Sequence, residues 1–155
     1  MMELFSMAET DKHPYLLPFE AIRRRLEVRS ERGELKVTLG YDTLLAIIRQ
    51  FLAFVPVDEA WYCAQYPDIA EAIAAGQVEG VRQHFTDNGY FEGRLPFPLA
   101  VDEAWYLAEN ADVAAAIAGG EIASANEHFQ ANGYREGRLP FPAPAPLAEA
   151  GGLGG

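Results

Sequence analysis

A chain of 155 residues is long enough for one sizeable core or two small ones. Half of its residues are apolar, and no run approaches the roughly 20 apolar residues of a membrane helix; the longest, Leu44 to Val57, is broken by Arg49 and Gln50. The net charge of −11 falls wholly in residues 57–155, where 4 basic residues face 15 acidic ones, against 8 of each sign in residues 1–56. An acidic surface of that size repels phosphate backbones, which argues against nucleic acid as a partner.

Residues 1–19 read as a flexible N-terminus. Glu3, Glu9 and Asp11 replace the basic lead-in of a signal peptide, so none is expected. A single cysteine, Cys63, allows no intrachain disulfide, and a cytoplasmic location is the default. Arg23, Arg24 and Arg25 form the one basic cluster and read as a solvated helix face. Leu26 and Val28, then Leu35, Val37 and Leu39, alternate at period two around Ser30-Glu31-Arg32-Gly33, which predicts a β-hairpin. Past Gly40, Asp42 is the expected cap of a helix reaching Phe54, with Leu44, Leu45, Ile47, Ile48, Phe51 and Leu52 as its apolar face. That face is too wide for solvent. Residues 20–56 therefore read as a dimerisation segment, with Leu35, Val37, Leu39, Leu44, Ile47, Ile48 and Phe51 at the contact.

Residues 57–98 and 101–142 align without a gap at a shift of 44, with 25 of 42 positions identical. Each copy reads as three short helices. The first is capped by Asp58 or Asp102 and carries Trp61-Tyr62 or Trp105-Tyr106. The second starts at Asp68 or Asp112 and stops at Gly76 or Gly120. The third places Val78, Val81 and Phe85, echoed by Ile122, Ala125 and Phe129, at helical spacing, and ends at Asn88-Gly89 or Asn132-Gly133, where a left-handed glycine would close it. The Leu-Pro-Phe-Pro segment after each should run extended over its neighbour. Residues 143–155, rich in Pro and Gly, read as a disordered tail. The fold class is thus mainly α: two tandem three-helix repeats (57–98 and 99–142) preceded by a β-hairpin and a helix.

Trp-Tyr-Leu-Ala-Glu-Asn-x-Asp-Val from Trp105, Glu-His-Phe from Glu127 and Gly-Tyr-x-Glu-Gly-Arg-Leu-Pro from Gly133 make a pattern. It resembles a short repeat found beside glycosyltransferase domains of bacterial polysaccharide assembly and in some large secreted calcium-binding repeat proteins. The resemblance covers residues 57–142 and implies an accessory or interaction role in a bacterial cell, with no catalytic residue. Residues 1–155 themselves hold no glycosyltransferase domain and no glycine-rich calcium nonapeptide.

Each candidate for chemistry has a plainer structural reading. A catalytic histidine is normally singular, whereas His84 and His128 recur with the same Tyr, Glu and Arg at the same offsets. They read as core residues whose imidazoles bond a backbone carbonyl. One His per copy, with no second His or Cys at ligand spacing, does not make a zinc site. Asp87-Asn88-Gly89 hints at a calcium loop, but Ala131 stands where Asp87 does in the other copy. Cys63 matches Leu107, a hydrophobe's slot, and reads as an inert core thiol. Arg94 and Arg138 would hold a loop carbonyl or a nearby Asp rather than act beside Glu92 and Glu136 as an electrophile. Trp61, Trp105, Tyr62, Tyr106, His84, His128, Phe85, Phe129, Arg94 and Arg138 are therefore read as the structural core of the copies, with no catalytic, cofactor or metal residues.

No phosphate loop, nucleophile elbow or His-Glu-x-x-His motif occurs. The sequence points to a non-catalytic, homo-oligomeric scaffold or adaptor that binds a protein partner through its acidic helices, with no cofactor. The alternatives are a carbohydrate-binding accessory of polysaccharide synthesis, using the aromatics to stack on a glycan, and an unrecognised enzyme.

Overall fold

The structure is a computed structural model and describes residues 15–143. The readings of residues 1–14 and of the tail from 144 onward lie outside the described residues. The described chain is mainly α-helical, with one two-stranded antiparallel hairpin. It divides into two compact units between Pro56 and Val57. Among the described residues no helix is long and apolar enough to cross a membrane.

The first unit opens with a short helix that periodicity does not announce, α1 (Phe19–Arg23), entered through Pro18 in extended conformation. The arginine cluster is locally satisfied. Arg23 pairs with Glu20 at 2.6 Å, Arg24 reaches the same carboxylate at 3.4 Å, and Arg25 donates to the Ala21 carbonyl. Strands β1 (Glu27–Glu31) and β2 (Glu34–Thr38) pair in the register Val28 to Val37 and Ser30 to Leu35. Arg32 and Gly33 form the two-residue turn, both at positive φ (52° and 81°), as the twist of a tight hairpin requires. Alternation gives the hairpin one face of Val28, Leu35 and Val37 and one of charged residues, where Lys36 pairs with Glu31 at 2.9 Å. All ten strand residues are exposed.

Helix α2 spans Tyr41–Leu52, ending two residues short of the expected Phe54. Its cap is Gly40, without a side-chain bond, and not Asp42. Asp42 sits two residues past the cap position, and its carboxylate lies in the first turn, where the helix dipole favours negative charge. A groove of about 340 Å³ lies between the helices of this unit, lined by Leu17, Ile22, Arg25, Asp42, Ala46 and Ile47.

In the second unit, the carboxylate of Asp58 accepts from the Trp61 amide at 2.9 Å and starts α3 (Glu59–Gln65). Helix α4 (Pro67–Ala74) has its proline at the first position, where the missing N–H costs nothing, and Gly76 turns left-handed after it at φ 72°. The third helix is shorter than its pattern. Val78 lies in the turn before it, α5 (Val81–His84) makes a single turn, and residues Phe85–Gly89 continue as a π-helical turn. The same order returns as α6 (Glu103–Glu109), α7 (Ala111–Ala118), α8 (Ala125–His128) and a π-turn at Phe129–Gly133.

Gly89 and Gly133 lie inside those π-turns without positive φ; the left-handed glycines that follow these turns are Gly93 and Gly137, at 77° and 78°. The expectation of a left-handed close at Asn-Gly is therefore corrected, and the cause is space. A Cβ on Gly89 would overlap the Tyr62 hydroxyl, and one on Gly133 the Tyr106 hydroxyl. The Pro96 and Pro140 carbonyls accept from the Asp58 and Asp102 amides at 2.9 Å, which ties each Leu-Pro-Phe-Pro segment to the start of its own copy, while Leu95 also packs into the core of the second copy.

Candidate functional site

The buried centre of each copy is a tyrosine–histidine pair. The Tyr62 hydroxyl lies 3.0 Å from Nδ1 of His84, and the Tyr106 hydroxyl 2.9 Å from Nδ1 of His128. The histidine partner is thus a tyrosine hydroxyl rather than the backbone carbonyl expected from sequence. The π-turn supplies the reason. It sets Gly89 and Gly133 against the tyrosine hydroxyls and the His Nδ1 atoms, where the absence of a Cβ lets hydroxyl and imidazole meet. Tyr62, Tyr106, Phe85 and Phe129 are almost fully enclosed, and their rings meet edge to face: Phe85 lies 6.3 Å from Tyr62, and Phe129 5.9 Å from Tyr106.

Burial sets the protonation of the first pair. It pushes the His84 imidazole below its ordinary range, against a smaller opposite pull from Glu92, and it pushes the Tyr62 phenol well up. Both groups are neutral at pH 7. Neither is an activated nucleophile, and the arrangement joins two elements of the fold. Glu92 stands 3.9 Å from the other ring nitrogen of His84.

Above each pair sits an arginine fork. Arg94 holds both oxygens of Asp68, at 3.0 and 2.8 Å, and donates its Nε to Glu92 at 2.8 Å. Arg138 holds Asp112 at 2.8 and 2.7 Å and Glu136 at 2.7 Å. Bidentate geometry of this kind fixes orientation as well as charge. Here the copies diverge. Tyr66 lies under the Arg94 guanidinium at 5.0 Å and accepts from the Leu95 amide at 2.8 Å. Its counterpart Asn110 accepts from Arg138 at 2.8 Å and donates back to the Tyr106 carbonyl.

Trp61 and Trp105 are only half-buried, and both pack against the cluster of Leu95, Tyr106, Val113, Ala125 and Phe129. Cys63 and Leu107 are half-buried too. In the first unit Leu35, Val37, Leu44 and Phe51 are exposed, while Leu39, Ile47 and Ile48 are half-buried. Among the described residues no group of three His, Cys, Asp or Glu side chains is placed to hold a metal ion. The contacts missed from sequence are the Tyr66–Leu95 tie and the seats of Gly89 and Gly133. The recurrence of Gly-Tyr in both copies is the one visible signal of the glycine seats, and the Tyr66–Leu95 tie has none, since Asn110 stands where Tyr66 does.

The chain matches no family model, and no curated protein or solved structure gives a significant match.

These environments set a pH dependence. His84 titrates lower in the fold than its ordinary value of about 6.5, so the unfolded chain takes up the proton first and stability falls as pH drops below that value. Asp68 and Asp112 are held down by their arginines, Asp112 to about 2, so their contribution is present above the ordinary carboxylate range and is lost as pH falls through it. Thermal melts across the acid range should show a decline starting below about pH 6.5 and steepening below about 4. The first part should vanish in His84→Gln. A flat melting temperature between neutrality and pH 5 would show that His84 is not held neutral by burial.

Proposed function

We propose that this chain is a non-catalytic, homo-oligomeric scaffold or adaptor that dimerises through residues 20–56 and presents two copies of one helical repeat to a protein partner. The observation that carries the reading is the apolar surface left open in the first unit. Leu35 is 72% exposed, Tyr41 73%, Phe19 71% and Phe51 49%. A lone hairpin is marginal in water and its edges invite another strand. The shared face of Val28, Leu35 and Val37 is what a second hairpin would cover. Residues 1–56 carry no net charge to oppose such a contact, while the acidic copies would repel one another and point apart.

The paired order of helices, caps, forks and Tyr–His pairs at a shift of 44 supports reading residues 57–142 as tandem repeats. Their likeness to the repeats beside bacterial polysaccharide glycosyltransferases makes an accessory role in such a system the natural setting. The enclosure of both Tyr–His pairs favours structure over catalysis.

Light scattering at micromolar concentration tests the oligomer. Two chains, or 34 kDa from a 17.0 kDa protomer, are expected, and Leu35→Lys with Val37→Lys should return the mass to one chain. A mass of one chain at every concentration would refute the proposal.

A further inference from the structure

The left-handed turn at Gly93 brings two unlike walls face to face. A Cβ on Gly93 would lie 2.8 Å from the Arg135 Cα, so only glycine lets the end of the first copy come this close to the second. Beside this contact lies a cleft of about 360 Å³, at the lower end of the range for small-molecule sites. The first copy lines it with Tyr66, Asp68, Glu92 and Arg94, and the second with Gln130 and Arg135.

The two walls differ in charge. On the first, each of the three Arg94 nitrogens already donates to a carboxylate, Nε to Glu92 and both Nη atoms to Asp68. Two carboxylates against one guanidinium leave that wall negative. Both acids reach solvent, Asp68 with 59% of its side chain exposed and Glu92 with 47%, so their outer lone pairs can still accept. The second wall carries one charge, the exposed Arg135. Among the described residues Arg135 pairs with no carboxylate, and its guanidinium reaches only the Asn132 Oδ1, at 3.4 Å. Opposite charges thus line one cleft without bridging it.

That arrangement selects among ligands. A simple anion gains from Arg135 and is repelled by Asp68 and Glu92; a simple cation meets the reverse. A molecule that carries both charges satisfies both walls at once, and its carboxylate can take the forked geometry that a guanidinium offers. The Gln130 amide adds a neutral donor beside Arg135. Nothing among the described residues lies within 4 Å of a Cβ on Gly137, so the matching fork of Asp112, Glu136 and Arg138 has no facing wall there.

We propose that this cleft binds a small zwitterion of the amino-acid class at one site per chain, its ammonium group against Asp68 and Glu92 and its carboxylate on Arg135. The site lies wholly within the second unit and is independent of the dimer proposed for the first.

NMR titration of the full nitrogen-labelled chain tests this. The probes are glycine, β-alanine, 4-aminobutyrate and 6-aminohexanoate, which hold the two charges at rising separation, with butyrate and butylammonium as single-charge controls. At least one amino acid should shift the Gly93 and Gln130 amides saturably, with a Kd on the order of 1 mM, as fits solvent-exposed ion pairs. Both controls should bind about tenfold more weakly, and added salt should weaken the zwitterion. Arg135→Gln should lose about tenfold in affinity, Arg135→Lys should keep most of it, and Asp112→Asn on the second fork should change nothing. Should Arg135→Gln disturb the fold, Asp68→Asn reads the same site from the other wall. No saturable shift with any of the four amino acids, equal binding of butyrate or butylammonium, or binding that survives both Arg135→Gln and Asp68→Asn overturns the proposal.

Discussion

Gly89→Ala and Gly133→Ala should each destabilise the second unit by about 3 kcal/mol, the upper range for overpacking a filled core. The added methyl group has nowhere to go. On Gly89 it would overlap the Tyr62 hydroxyl and press on the His84 ring at 3.3 Å; on Gly133 it would meet the Tyr106 hydroxyl and the Phe129 ring at 3.1 Å. Tyr62 and Tyr106 are wholly enclosed and cannot swing aside, so the clash would break the Tyr–His bond or unwind the π-turn. Gly120→Ala is the informative contrast. It meets no atom and strains only a left-handed φ of 77°, which costs about 1 kcal/mol. Removing the obstructing oxygen should restore much of the loss, so Gly89→Ala with Tyr62→Phe should be more stable than the sum of the single changes. Chemical denaturation of the four variants gives the coupling. Strict additivity would show that the glycine is not there to admit the hydroxyl.

Leu95→Ala and Leu139→Ala should part company although the residue and its neighbours are the same. Leu95 fills the core of the second copy, and truncating it should cost about 3 kcal/mol, from lost apolar burial and the cavity left behind. Leu139 is largely open, and its truncation should stay within about 0.5 kcal/mol. Measured at low concentration, the difference isolates what the junction between the copies contributes. Equal losses at the two positions would mean that Leu95 does not stabilise the second copy.

The elements that rest on local signals were legible in the sequence. Asp58 and Asp102 cap their helices, the Arg32–Gly33 turn joins two alternating strands, and the apolar run after Gly40 forms α2. What sequence reading missed depends on partners distant along the chain. An Asn-Gly at the end of an apolar stripe carries the usual sign of a left-handed stop, and nothing local reveals a tyrosine hydroxyl filling the space where a Cβ would go. The π-turns are invisible for a similar reason, because the period of 3.6 that locates Val81 and Phe85 cannot register one extra residue. The unequal fates of Leu95 and Leu139 could not be read from identical residues at all. They follow from Leu95 having the core of the second copy to pack into.

The short reach of the bonds within each copy bears on the timing of folding during synthesis. The Tyr62–His84 bond spans 22 residues, the Arg94–Asp68 fork 26 and the Tyr66–Leu95 tie 29. Closing loops of that length costs little entropy, and chains with such local topology fold in milliseconds or less. Translation adds roughly 5–20 residues per second, so the 44 residues to the matching point of the next copy take seconds to appear. The partners of every bond within the first copy are therefore present while its successor is still being made. During that interval Leu95 lacks Tyr106, Val113 and Phe129, the residues that bury it once the second copy has been made.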